Sequence, residues 1–130
     1  MGTDNTKPAV GSVAWRDLTV SNAEAVRDFY ARVVGWGIAP LDMGGYNDFV
    51  MLAAGSANPV AGVCHARGAN ADLPAQWLMY IVVEDLDASV AECVALGGAI
   101  VSGPRPLSEG RFCVIRDPAG AVCALFQPAA

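Results

Sequence analysis

From Ser12 the chain alternates, with Val13, Trp15 and Asp17 on one side of a strand and Ala14, Arg16, Leu18 and Val20 on the other. The period then changes: Val26, Phe29 or Tyr30, Val33 and Val34 recur at helical spacing. Ser21-Asn22-Ala23-Glu24 has the spacing of a capping box at the start of that helix, and Gly35 stands where a C-cap glycine would end it. The same order returns 63 residues later. A strand over 77–83 leads through Glu84-Asp85-Leu86-Asp87 into a helix carrying Leu86, Val90, Cys93, Val94 and Leu96, stopped by Gly97-Gly98. Leu18, Val20 and Asn22 map onto Ile81, Val83 and Asp85 at this constant shift, which predicts an internal duplication.

Each half continues with strand-like segments, at 38–42, 46–53 and 59–65 and again at 99–102, 111–116 and 121–127. Gly44-Gly45, Gly55-Ser56, Gly103-Pro104 and Asp117-Pro118-Ala119-Gly120 supply turns between them. The expected architecture is α+β, two tandem βαβββ modules with eight strands in all. Module one covers 10–66, an Ala-, Gly-, Asn- and Pro-containing linker 67–75, and module two 76–130, after a flexible N-terminal tail over 1–9. Neither half is large enough to bury both its helix and its sheet alone, so one domain is expected.

Composition narrows the function. With eight basic and thirteen acidic residues the formal net charge is −5, which disfavours phosphate backbones, so nucleic acid is not an expected partner. The longest purely apolar run has seven residues where a membrane span needs about twenty, so no membrane partner is expected either. Cys64, Cys93, Cys113 and Cys123 form no Cys-x-x-Cys pair and no secretion signal precedes them, which points to reduced thiols and a cytoplasmic location.

Three motifs together carry a resemblance: Phe29-Tyr30-x-x-Val33-x-Gly35-Trp36 closing the first helix, Leu96-Gly97-Gly98 closing the second, and Asp117-Pro118-x-Gly120 before the last strand. With the duplicated βαβββ unit they resemble the vicinal oxygen chelate superfamily of glyoxalase I, bleomycin-resistance proteins and extradiol dioxygenases. The resemblance implies an eight-stranded incomplete barrel-like cleft with the helices outside. It also implies homodimers, at times formed by exchanging modules, and the 54% apolar content favours a partner-covered surface.

In metal-dependent members the resemblance implies a divalent ion held from the first and last strand of each module. The first-strand ligand lies three residues before the leucine and seven before the helix-starting acid or amide, which is Trp15 in module one and Leu78 in module two. The last-strand glutamate falls seven residues after the aspartate of the turn, at Ala124, with Ala61 as its duplicate. None of these side chains has a donor atom suited to a metal, so no metal and no cofactor are expected.

The expected ligand-binding set is therefore Trp15, Asp17, Phe49, Leu78, Tyr80, Ala124 and Phe126, an apolar and aromatic lining with few polar anchors. Asp17 is the candidate carboxylate, as a base, as an anchor for a cationic or hydroxyl-bearing ligand, or as a structural partner of Arg111 or Arg116. Tyr80 offers a phenol, and His65 is either a rim residue, a general acid or base, or one arm of a displaced metal site. The function that follows is metal-independent binding of a small apolar or aromatic molecule. The alternative is a lyase, isomerase or dioxygenase-like enzyme using Asp17, Tyr80 and His65 or a displaced metal.

Overall fold

The structure, a computed structural model, describes residues 7–130. The expected tail over 1–9 lies for its first six residues outside the described residues; Ala9 is tied down, its carbonyl accepting from the amide and hydroxyl of Ser12. The elements are β1 (Val13–Val20), α1 (Ala23–Val34), β2 (Gly37–Asp42), β3 (Asn47–Leu52), β4 (Pro59–His65), a short 3-10 turn (Gly68–Asn70), β5 (Trp77–Val82), α2 (Leu86–Ala95), β6 (Ala99–Leu107), β7 (Gly110–Arg116) and β8 (Val122–Gln127). The protein is α+β, and the βαβββ order occurs twice. By contacts the chain divides into two compact units, a first over Trp15–Leu78 and a second over Met79–Ala130 with the described residues before Trp15.

In the first unit the strand order is β2-β3-β4-β1, with β1 parallel to β4 and the remaining pairs antiparallel. Alternation decides which side chains meet α1: Leu18, Val20, Phe49, Met51, Ala61 and Val63 form a buried core, with Val26 and Tyr30 of the helix packed against it. α1 ends at Gly35 because the chain must turn left-handed there, at φ 80, which glycine adopts without a Cβ penalty. Its start departs from the expected capping box. The N-cap is Asn22, which makes no side-chain cap bond, and the Glu24 carboxylate bonds His65 instead. The carboxylate that would return to Ser21 in a capping box is held at the ring that β4 delivers.

The second unit has the order β5-β8-β7-β6, with β5 parallel to β8. Leu86 and Val90 of α2 pack on Cys113, Ile115 and Leu125. The Asp85 carboxylate caps α2 by accepting from the Ala88 amide at 3.1 Å, and the Leu86 amide donates to Gln127 Oε1 at 2.7 Å. The two glycines that end this helix serve different needs. Gly97 sits at φ 97, whereas a Cβ on Gly98 would press on Cys93 Sγ and lie 2.8 Å from the Arg116 carbonyl oxygen.

One expected turn is absent. The chain does not reverse at Gly103-Pro104 but continues through it as β6, with register shifts against β7 on both sides of Ser102, and turns only after Leu107. Gly103, at φ 97, absorbs the irregularity, so a bulge takes the place of the turn. At Asp117 the turn forms as expected, the carboxylate accepting from the amides of Ala119 and Ala121 at 2.8 and 3.0 Å. No helix among the described residues is long and apolar enough to cross a membrane.

Candidate functional site

In each unit the strands have one face under the helix and one face away from it, and the expected site residues divide between them. In the first unit Trp15 and Asp17 lie on the face away from α1. The indole Nε1–H of Trp15 donates to Asp17 Oδ1 at 2.7 Å, and both residues are half-buried. β1 and β4 run parallel with Asp17 beside Gly62, and a Cβ on Gly62 would collide with Asp17 Oδ1. The carboxylate thus fills the space that any larger residue at position 62 would take. Of the arginines suggested as its partner, Arg111 forms a two-pronged pair with Asp87, at 3.1 and 3.2 Å.

Phe49 is not on that face. It is 5% exposed in the core under α1, opposite Val63 in the sheet, with the Arg27 guanidinium 4.5 Å from its ring centroid. Trp15 and Phe49 therefore do not share a lining. The pairing of β3 with β4 sets this: one residue of register decides which sheet face a side chain occupies.

The register also moves a family position. Asp17 pairs with Gly62 as Tyr80 pairs with Ala124, so the duplicate of Ala124 is Gly62, while Ala61 belongs to the core under α1. The second repeat is one residue shorter between these strands, and a constant shift of 63 overshoots there. Glycine, like alanine, provides no metal donor, and among the described residues no group of three or more His, Cys, Asp or Glu is placed to hold a metal ion. The side chains at the family's ligand positions do not fit a metal.

In the second unit the face away from α2 carries Tyr80, Ala124 and Phe126, joined by Phe112, which pairs with Phe126. The rings of Tyr80 and Phe112 lie 6.0 Å apart, and the Arg105 guanidinium stands 4.7 Å from the Phe112 centroid. The wall is apolar and aromatic. Phe112 was legible from the alternation of β7; Arg105 was not, because the β6 bulge sets its side. Leu78, two residues before Tyr80 on β5 and the last residue of the first unit, is fully buried.

His65 lies on neither of these faces. Its Nδ1 is 3.1 Å from Asp48 Oδ1 and its Nε2 is 3.0 Å from Glu24 Oε2, while its backbone amide donates to the same Asp48 oxygen at 2.9 Å. Tyr46 packs edge-on against the ring, and the Arg67 guanidinium covers Tyr46 at 3.8 Å. Burial pushes the His65 pKa down, but the bonds to Asp48 and Glu24 outweigh it and the net shift is upward. The four cysteines are free thiols. Burial, helped by Asp17 and Asp48, pushes the Cys64 thiol far up, so it is no ready nucleophile. A surface cavity of about 450 Å³ in the first unit, lined by Pro40, Asp42, Gly45, Tyr46 and Asn47, includes none of the expected site residues.

Comparison with known proteins places this geometry. A family model described as a glyoxalase-like domain matches residues 15–126. The chain is 31% identical over 120 residues to CFP32 of Mycobacterium tuberculosis, whose name assigns it provisionally as a glyoxylase, covering 92% of this chain and 45% of that one. It is 35% identical over 113 residues to the anthracycline biosynthesis protein DnrV of Streptomyces peucetius, covering 85% of this chain and 39% of the relative. It thus spans under half the length of the curated relatives it matches. Among solved structures, methylmalonyl-CoA epimerase from Mycobacterium tuberculosis superposes with a TM-score of 0.56 at 18% identity, over 95% of this chain and 94% of the other, a likeness of fold. The chain belongs to the glyoxalase-like domain family and has the vicinal oxygen chelate fold.

Proposed function

We propose that the protein binds a small apolar or aromatic molecule on a sheet face turned away from its helix, without a metal at the family's ligand positions. One observation carries this reading. Where the family would place metal donors stand an indole, a leucine side chain, a glycine and an alanine, and the same faces present aromatic rings with a carboxylate, Asp17, held by the Trp15 indole. The name of the 35% identical relative adds support, since anthracyclines are fused-ring aromatics. The protein as isolated, after treatment with a chelator, is titrated with a tetracyclic aromatic such as an anthracyclinone and followed by thermal denaturation. Stabilisation should grow with ligand concentration, reaching about 2.7 kcal/mol at a hundred times Kd.

Trp15→Ala should abolish the shift if the ligand sits on the first unit's face, and Asp17→Asn should retain most of it if the carboxylate only orients the indole. The two faces are separated by Tyr80→Ala, which removes an aromatic ring from the second unit's wall without touching Trp15. Absence of any shift, or a shift that appears only when a divalent metal is restored, counts against the proposal. The acid–base reading is distinguished in the same series, because it requires Asp17→Asn to eliminate turnover while binding persists.

Homodimer formation is part of the proposal. Phe29 and Val33 stand one helical turn apart on α1 and are 56% and 64% exposed, an apolar pair for a second chain to cover. Light scattering at micromolar concentration should give twice the chain mass. A single-chain mass that persists at high concentration would remove this part.

A further inference from the structure

We propose that His65 is a proton-controlled latch on the first turn of α1, closed when the imidazole carries two protons and released when it loses one. Both ring nitrogens face carboxylate oxygens, Asp48 Oδ1 at 3.1 Å and Glu24 Oε2 at 3.0 Å. A neutral imidazole has one N–H and can donate to only one of them, so both contacts are hydrogen bonds only in the imidazolium. The two carboxylates are not equivalent. The Asp48 side chain is 8% exposed and also takes the His65 backbone amide, whereas the Glu24 side chain is 59% exposed and can turn to water. On deprotonation the remaining proton therefore stays at Nδ1 toward Asp48, and the Glu24 contact opens.

The start of α1 depends on that contact because its N-cap residue, Asn22, makes no side-chain cap bond. The Glu24 carboxylate holds its own backbone amide and the His65 ring together, both lowering its pKa. Pinning by His65 keeps it over the first turn. The remaining groups around the ring are Arg27 of α1, stacked on Phe49, and Tyr46 with Arg67 above it; Cys64 borders Asp48 from the next position on β4. Neither arginine is placed to donate to the imidazole, so the two carboxylates set its protonation.

The direction of the pH effect follows. The folded pKa of His65 lies above the unfolded value of about 6.5, so the latch is fully closed below that pH and opens as pH rises through the folded value.

Amide hydrogen exchange read at Glu24 and Ala25, corrected for the intrinsic rate at each pH, tests this on the full chain, with the imidazole titration followed by NMR. Protection in the parent should fall about threefold or more between pH 6 and 9. Glu24→Gln leaves the buried Asp48 contact intact and should fold normally. It should give low, pH-independent protection at these amides and a lower His65 pKa. His65→Gln should abolish the pH dependence as well. Flat protection in the parent over this range, or a Glu24→Gln protein whose imidazole titrates as the parent's does, overturns the proposal.

Discussion

Gly62→Ala should destabilise the protein by about 2–3 kcal/mol, although replacing glycine in a strand ordinarily helps. The added Cβ would collide with Asp17 Oδ1, and the Trp15 indole nitrogen lies 3.4 Å from the same point. The carboxylate cannot simply swing away without losing the 2.7 Å bond from Trp15. Chemical denaturation would show the loss as a lower midpoint at unchanged m-value. The cause is isolated by a double-mutant cycle, since Asp17→Ala in the Gly62→Ala background should recover most of the lost stability. A Gly62→Ala protein as stable as the parent, or a double mutant no better than the single, would show that the carboxylate does not occupy the space beside β4.

Leu86→Ala should cost about 2–5 kcal/mol, the range for an aliphatic side chain removed from a packed interior. Leu86 is fully buried as the first residue of α2, against Val90, Cys113, Ile115 and Leu125, and its amide is held by Gln127. The surroundings collapse poorly around such a gap, because β7 and β8 are paired beneath it. Leu96→Ala, ten residues on and 71% exposed, should change stability by no more than about 0.5 kcal/mol. Equal effects of the two substitutions would contradict the placement of α2 on its sheet.

Periodicity made most elements legible before any tertiary information. Strand alternation around Trp15 and Asp17, the helical spacing that ends at Gly35, and the Asp117 turn all follow from neighbours a few residues apart, and each is present. Gly103-Pro104 misled for the same reason: locally it has turn chemistry, and only pairing with β7 carries β6 through it. The Ser21–Glu24 spacing does not form a capping box, and one partner of the Glu24 carboxylate is remote. His65 is 41 residues from Glu24, and the strand order brings them together.

The candidate site was partly legible. Spacing places Trp15 with Asp17 on one strand face and Ala124 with Phe126 on another, while the Trp15–Asp17 bond and the parallel pairing that sets Tyr80 beside Ala124 come from the structure. Phe49 does not join Trp15, since alternation shows that odd and even positions differ but not which set meets the helix. Its pairing with Val63 decides that.

By itself the sequence determined the duplicated βαβββ order, the family resemblance and the lack of metal donors at the family's positions, because these depend on residue identity and short-range spacing. Tertiary structure alone decided that Gly62 is the partner of Asp17, that Phe49 lies under α1, and that Glu24, His65 and Asp48 form one cluster. Strand register and hydrogen bonding between distant segments are set by how whole surfaces pack, and a shift of one residue reverses every face.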